Sequence, residues 1–367
     1  MHTHTPHRVA IALCALSLVI CGSAAATPIG YTQINLTSDI PGKAANLDPA
    51  LKNPWGMSFS PNSPFWVSDQ RTDVSTLYNA AGVKQGLVVS VPGGPTGQVF
   101  SSGAGFESDP GREALFMFAT LAGTVRAWSP NPATNPQPSV LRFQANGAVY
   151  TGLALAGKLL YAADTKNARI DVINTNYQPV TLAGSFTDPT LPAGFTPYNI
   201  QNIGGSLYVE YTTQGGSFGA GHVSVFDTNG NFLRHISDIH LNAPWGITLA
   251  PAGFGDFGGD LLIGNFGDGV INAFDPATGG FLGTLSDPLG APLVNDGLWA
   301  LGFRTGAGFD PNTLYFTAGI NGEANGLFGA IQPAGPQQTP GGVPEPTSLV
   351  MLGSGLAGLA RRHFAKG

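Results

Sequence analysis

The sequence predicts an all-β fold in which repeated four-stranded antiparallel sheets form a ring, a six-bladed β-propeller. Of the 367 residues, 43% are hydrophobic and 10% charged, while Gly and Pro number 52 and 29, so turns should be frequent and long amphipathic helices rare. A hairpin of two short apolar strands around a polar turn recurs along the chain, as in LYAADTKNARIDVIN from Leu160. About six copies occur, at a period of about 50 residues, which is typical of propeller blades.

The repeats align on a residue near the end of the second hairpin strand. These residues are Tyr78, Trp128, Ile173, Phe226, Phe274 and Phe328. An inner strand precedes each hairpin, such as WGITLA from Trp245, and an outer strand follows it, such as residues 231–235. The inner strand of the second blade is placed near residues 97–106, and seven blades or an irregular second blade remain alternatives.

The sixth repeat has no fourth strand of its own, because Pro333 and a Pro/Gly-rich stretch follow GLFGAIQ. The strand-like segment YTQINL, residues 31–36, has no hairpin partner nearby. We expect it to pair beside Phe328 and close the ring, which would leave no unpaired edge there. The prediction is one propeller domain over residues 27–332.

Residues 1–26 have the order of a secretory signal peptide. One basic residue, Arg8, precedes an apolar run over residues 9–21, and Ala24 and Ala26 fit the small-residue cleavage rule. Both cysteines of the chain lie within this segment. The mature protein would therefore have neither a disulfide nor a thiolate metal site.

The C-terminus has three parts. A Pro/Gly-rich linker (residues 333–346) ends in Pro-Glu-Pro, and residues 347–367 form a short apolar stretch with a basic end that should stay in the cytoplasm. This tail resembles the PEP-CTERM sorting signal, which an exosortase recognises in Gram-negative bacteria that make exopolysaccharide. The residues that carry the resemblance are Pro344, Glu345, Pro346, Arg361 and Arg362. The resemblance implies an exported protein of the cell envelope, the cell surface or the medium, processed by an exosortase-like enzyme.

The body of the chain also resembles known proteins. The segment LYAADTKNARIDVIN is similar to the NHL-type propeller repeat, and the layout with NPWG, a further PWG and a PEP-CTERM tail resembles a family of exported propellers of unassigned function. This resemblance implies fold and export, and it implies no activity.

The formal net charge of −6 and the lack of a Lys/Arg run argue against nucleic acid as a partner. Membrane contact is expected only through the C-terminal tail. The three histidines of the body, His222, His235 and His240, show no standard metal-ligand spacing.

In a propeller, the loops before the inner strands and the turns inside the hairpins gather on one face around the channel. Aromatic faces beside hydrogen-bonding side chains suit sugars. The candidate ligand-binding residues on this face are Trp55, Asp69, Arg71, Asp164, Lys166, Tyr211, Trp245, Asn265, Asp268 and Trp299. The alternative is that the tryptophans pack within the blades and the polar residues cap turns.

The preferred hypothesis is an exported, non-enzymatic propeller without a cofactor that binds a partner such as exopolysaccharide or a surface protein. One rival is a metal-dependent hydrolase of the lactonase type, with calcium held by Glu210, Asn265 and Asp296. It is motivated by fold analogy alone, because the local sequences do not match that family's motifs. Another is a purely structural matrix component.

Overall fold

The computed structural model describes Met1 and residues 29–131, 138–214, 219–306 and 308–335. The signal peptide and the C-terminal tail predicted above lie outside the described residues. The described residues form strands and two short 3-10 helices, Gln70–Thr72 and Gly255–Phe257. No helix in these ranges has the length and apolar character needed to cross a bilayer.

The strands follow the chain from blade to blade, and each blade begins with its inner strand. The chain starts with β1 (Tyr31–Ser38) and β2 (Asn46–Leu47). The first blade contains β3 (Pro54–Ser58), β4 (Phe65–Asp69), β5 (Val74–Tyr78) and β6 (Lys84–Ser90). The second blade contains β7 (Pro95–Phe100), a small inserted hairpin of β8 (Glu107–Asp109) and β9 (Arg112–Glu113), then β10 (Phe116–Thr120), β11 (Thr124–Trp128) and β12 (Val140–Gln144).

The third blade contains β13 (Tyr150–Ala156), β14 (Leu159–Asp164) and β15 (Arg169–Asn174). The fourth contains β16 (Phe195–Ile203), β17 (Ser206–Thr213), β18 (His222–Phe226) and β19 (Phe232–Ile236). The fifth contains β20 (Pro244–Leu249), β21 (Leu261–Asn265), β22 (Ile271–Phe274) and β23 (Phe281–Thr284). The sixth contains β24 (Leu298–Phe303), β25 (Leu314–Ala318) and β26 (Leu327–Pro333), completed by β1 and β2.

The six inner strands β3, β7, β13, β16, β20 and β24 contact one another in ring order, and the sixth contacts the first. The prediction of a six-bladed propeller is therefore confirmed, and the alternative of seven blades is wrong. Buried apolar side chains form clusters between neighbouring blades.

The N-terminal strand closes the ring as predicted. Strand β1 runs antiparallel to β26, with Tyr31 opposite Pro333 and Thr37 opposite Phe328. Strand β2 adds a short parallel pairing to the outside of β1. The first and last strands of the domain therefore share one sheet, so separating the chain ends would break a ladder of backbone hydrogen bonds.

Three details differ from the sequence prediction. The third blade has three strands, and only an isolated bridge, Ile173 to Pro179, continues its outer edge, because proline has no N–H to donate to a longer ladder. The inner strand of the second blade is β7, which begins before residue 97 and ends before residue 106. In the sixth blade the residue equivalent to Tyr78 and the other aligned residues is Ile331 and not Phe328, because Ile331 lies opposite Leu314, the first residue of β25.

A register shift interrupts the pairing of every inner strand with its hairpin, near the start of the inner strand. The register shift explains why Pro-Trp-Gly recurs at the start of inner strands. Proline is tolerated at the first residue of a strand, and a bulge re-aims the next side chain, here into the channel. The glycine admits the neighbouring blade: a Cβ on Gly56 would lie 2.3 Å from the Thr96 carbonyl oxygen, and one on Gly246 would lie 2.3 Å from that of Trp299.

The closure makes a stability prediction. Tyr31 is 1% exposed, its ring lies 4.8 Å from that of Phe254, and its hydroxyl donates to the Phe254 carbonyl oxygen at 3.0 Å. Replacing Tyr31 with Ala should therefore lower the free energy of unfolding by about 3–5 kcal/mol, measured by urea denaturation. The matched control is Ile34→Ala on the same strand, because Ile34 is 41% exposed and its truncation should cost less than about 1 kcal/mol. Equal effects of the two substitutions would contradict a packed closure.

Candidate functional site: the central channel

One end of the central channel is closed by an aromatic plug, which we define as Trp55, Tyr198, Trp245, Phe266 and Trp299. Trp299 lies at its centre. Its ring stacks on Trp55 with centroids 3.8 Å apart, and it meets Phe266 at 4.2 Å and Trp245 at 5.7 Å. These contacts account for the tryptophan at the second position of three inner strands.

Hydrogen bonds hold the plug in place. The Trp299 indole N–H donates to Asn53 Oδ1 at 2.8 Å, and the Trp245 indole N–H donates to the Thr151 carbonyl oxygen at 3.1 Å. Asn53 in turn donates to Gln70 and to Glu323. The three tryptophans are at most 5% exposed, so their faces are turned towards one another. They therefore do not form the open stacking surface for sugars that the sequence suggested.

The other end of the channel opens into a cavity of about 360 Å³. Its lining comes from the carboxyl ends of the inner strands, with at least one residue from each of the six blades. Those residues include Met57, Gln98, Leu155, Gln201, Thr248 and Leu301, and the aromatic side chains among the lining residues are Phe59, Phe100 and Phe303. A concave site of this volume lies within the usual range for small-molecule pockets, about 300–1,000 Å³.

Hydrogen bonds fix the side-chain amide nitrogen of Gln98, whereas its amide oxygen is unpaired among the described residues. Its side-chain NH₂ donates to the carbonyl oxygens of Gly56 and Trp66, both at 2.7 Å, and so joins the second blade to the first. Its Oε1 atom has no hydrogen-bond partner among the described residues, and Gln98 is only 6% exposed. This oxygen is itself enclosed and does not face the cavity, so it is an unpaired acceptor that costs stability.

The lining residues of this cavity that the structure describes are apolar, amide or hydroxyl-bearing, and none has an ionisable side chain. Amides and hydroxyls can pair with sugar hydroxyls, while Met, Leu and Phe offer apolar faces to C–H groups. The cavity lies at the opposite end of the channel from the face that the sequence favoured. The signal that could have located it is the set of residues one to three positions after the Pro-Trp-Gly glycine.

The predicted polar residues of the turn face serve mainly their own blades. Asp164 is fully buried and accepts hydrogen bonds from Asn167 and from the Val149 N–H, so it caps a turn. Lys166 and Arg71 are exposed on hairpin turns. Tyr211 is buried between the third and fourth blades, and burial raises the pKa of its hydroxyl.

Asp69 belongs to a buried chain of polar groups in the first blade. Thr76 donates to Asp69 at 2.6 Å, and the Tyr78 hydroxyl donates to Asp48 at 2.6 Å, which also contacts Lys84 Nζ at 2.8 Å. The Thr76 and Tyr78 hydroxyl oxygens, 2.8 Å apart, join the two halves. Burial raises the pKa of Asp69 well above its usual value, and Asp69 points into the blade interior.

The three residues nominated for calcium have separate environments. Asn265 donates to the His240 carbonyl oxygen at 2.7 Å and to the exposed Asp268 at 3.4 Å. Asp296 is exposed and accepts from the Asn321 N–H. Among the described residues, no group of three or more His, Cys, Asp or Glu side chains is arranged to hold a metal ion.

Glu210 is the third of that set, and its carboxyl group is fully buried. It lies opposite Asn199 and Val223 in the fourth blade, on the face where Asn199 donates to the Trp245 carbonyl oxygen of the fifth blade. Neither of its oxygens has a partner among the described residues, and burial raises its pKa well above the usual value. Burial therefore favours the neutral acid form of Glu210.

Sequence reasoning missed one cluster in the fourth blade. His222 Nδ1 and His235 Nε2 are 3.0 Å apart, and His235 Nδ1 contacts Asp188, which also accepts from Ser224 at 2.7 Å. Burial opposes ionisation of Asp188, but hydrogen bonds from Thr190, Ser224 and His235 outweigh it and lower its pKa. Burial, followed by the neighbouring His235, lowers the pKa of His222. Pairing of β18 with β19 brings these histidines together, and a search for short ligand motifs does not detect such a pair.

The fold and the C-terminal sequence together define an exported six-bladed propeller. Residues 342–363 match the PEP-CTERM protein-sorting motif, which confirms the resemblance described above. This motif implies processing by an exosortase-type system and export to the cell envelope or surface, as is typical of Gram-negative bacteria.

Two uncharacterised proteins of Acanthamoeba polyphaga mimivirus are each 34% identical to this chain. One aligns over 329 residues, 83% of this chain and 79% of the relative, and the other over 314 residues, 78% of this chain and 82% of the relative. The chain belongs to the same protein family as these two relatives, whose names give no function.

Solved structures support the architecture. A streptogramin B lyase structure aligns with a TM-score of 0.51 and 12% identity, over 84% of this chain and 99% of that one. A protein of unknown function from Bacteroides thetaiotaomicron aligns with a TM-score of 0.54 and 13% identity, over 82% of this chain and 76% of that one. At these identities the likeness shows the fold alone.

The buried acid makes a pH-dependent prediction. Because the pKa of Glu210 is raised in the folded state, the carboxyl group is neutral in both the folded and the unfolded protein below the unfolded pKa, about 4.3. As the pH rises from there towards the folded pKa, the unfolded protein ionises first, and the free energy of unfolding falls. Glu210→Met should therefore raise the free energy of unfolding at pH 7 by about 1–3 kcal/mol, and the gain should shrink near pH 4. Urea denaturation across this pH range measures it.

The matched control is Glu113→Met, because Glu113 is exposed. Its effect should be small and should not follow the same pH dependence. If Glu210→Met destabilised the protein at pH 7, its carboxyl group would have a stabilising partner that the described contacts do not include.

Proposed function

We propose that this exported propeller is a binding module, and that its ligand is a neutral, hydroxyl-bearing group, such as a sugar residue of an extracellular polysaccharide, held in the 360 Å³ cavity. The observation that carries the proposal is the uncharged lining, in which the amides of Gln201 and Asn202 and the hydroxyl of Thr248 lie among apolar side chains from the other four blades. The sorting motif supports it, because the protein is sent to the compartment where such polymers occur.

The same lining favours binding over bond cleavage at this cavity. General acid–base catalysis needs a titratable side chain within hydrogen-bond reach of the substrate, and the described lining residues include none. The buried acids Glu210 and Asp69 are absent from the lining and are enclosed within their blades.

The test uses neutral oligosaccharides prepared from extracellular polysaccharide, with binding measured as a rise in melting temperature and by calorimetry. Thr248→Trp should abolish binding, because a large side chain at this lining position fills the cavity. Gln201→Leu should weaken binding about fivefold to tenfold, because one amide hydrogen bond contributes about 1 kcal/mol.

The matched control is Gln178→Leu, which changes an exposed glutamine on the outer edge of the third blade and should leave affinity unchanged. Trp245→Ala and Trp299→Ala are unsuitable probes, because removing a buried tryptophan costs about 3–5 kcal/mol of stability whether or not a ligand binds. The proposal fails if no neutral oligosaccharide raises the melting temperature, or if Thr248→Trp binds as well as the parent protein.

A further inference from the structure

Two histidines of the fourth blade face each other across neighbouring strands. His235 lies opposite Ser224 in the pairing of β18 with β19, and His222, two residues before Ser224, projects from the same face. His222 Nδ1 is 3.0 Å from His235 Nε2. The ring of Phe195 meets that of His222 edge-on, with centroids 4.4 Å apart, and so limits its rotation. The pair belongs neither to the cavity nor to the aromatic plug, so the function proposed above does not use it.

A buried carboxylate fixes the second imidazole. His235 Nδ1 contacts Asp188, whose side chain is fully buried. Asp188 also accepts from the Ser224 hydroxyl and from the Thr190 N–H, both at 2.7 Å, and these bonds with His235 lower its pKa. Because the ionised carboxylate only accepts, neutral His235 carries its proton on Nδ1, and the lone pair of its Nε2 points towards His222.

A histidine whose second ring nitrogen donates to a carboxylate is the usual form of a metal ligand, because the carboxylate fixes the tautomer and makes the free nitrogen more basic. In the hydrogen-bonded pair, His222 Nδ1 is the donor to His235 Nε2. If that proton moves to the other nitrogen of His222, two lone pairs face one point. Burial, followed by the neighbouring His235, lowers the pKa of His222 and so favours the neutral form that a metal ion requires.

The separation of the two nitrogens suits a small divalent ion. Zinc lies about 2.0–2.1 Å from an imidazole nitrogen, so two such ligands at a tetrahedral angle are about 3.3–3.4 Å apart. The nitrogens of His222 and His235, at 3.0 Å, would have to separate by only about 0.4 Å. Among the described residues the pair is not part of a group of three metal-ligating side chains, so water would complete the coordination. Water has access, since 14% of the His235 side chain is exposed.

We propose that His222 and His235 form a two-histidine site for a divalent transition metal ion, zinc or copper, in which Asp188 positions His235. Imidazole nitrogen suits both ions. The bound ion would cross-link β18 to β19 and, through Asp188, to the segment that leads into the fourth blade. The chain after residue 26 contains no Cys and therefore no disulfide, so this cross-link would stabilise the outer part of the blade by other means. The site does not depend on the ligand proposed for the cavity.

The test measures the binding of Zn²⁺ and of Cu²⁺, each added alone, to the untagged chain from residue 27, by calorimetry and by melting temperature. Omitting residues 1–26 removes three further histidines that would also bind metal. One ion should bind per chain and raise the melting temperature. His222→Gln and His235→Gln should each weaken binding at least tenfold, and Asp188→Asn should weaken it about tenfold to a hundredfold, because it removes the carboxylate behind the ligand.

The matched control is His240→Gln, because His240 is exposed and its Nδ1 contacts Asp238 and not the pair, so affinity should be unchanged. The electron paramagnetic resonance spectrum of Cu²⁺ bound to the parent chain is a readout that needs no variant, and it should show coupling to two imidazole nitrogens. The proposal is overturned if neither ion binds the parent chain more tightly than the double variant His222→Gln/His235→Gln. In that case the two rings are joined by a hydrogen bond alone.

Discussion

The close approach of six inner strands around one axis is the constraint on which the rest of this structure depends. Each inner strand meets its neighbour backbone to backbone, and at Gly56 and Gly246 a Cβ would come within 2.3 Å of the next blade's carbonyl oxygen. The register shift beside each glycine turns the preceding side chain into the channel. Blade packing and channel filling are therefore decided at the same positions.

This arrangement gives the channel two different ends. At the start of the inner strands, large aromatic residues fill the axis, and Trp299 contacts the other members of the plug while its indole N–H is satisfied by Asn53. At the carboxyl ends the strands diverge, and smaller or amide side chains such as Thr248 and Gln201 leave a cavity. The filled end stabilises the ring and the open end leaves a cavity, so the proposed binding site lies apart from the aromatic residues that fill the axis.

Some of the buried polar side chains join neighbouring blades, and others do not. Gln98, Asn199 and Thr317 donate to backbone carbonyl oxygens of an adjacent blade and so join blades through side chains. Glu210 has no such partner, and its raised pKa reflects a buried acid that costs stability.

The sequence by itself determined the repeat, favoured six blades, and identified the closing strand and the sorting tail, since strand patterning and tail composition are local properties of the chain. It did not determine which residues share the channel, because those come from six strands about 50 residues apart. Trp55 and Trp299 were expected on an open face and are instead buried against each other, while Gln98 and Gln201 carried no local signal. Only the closed ring decided which end is filled and which is open, and only strand pairing brought His222 to His235.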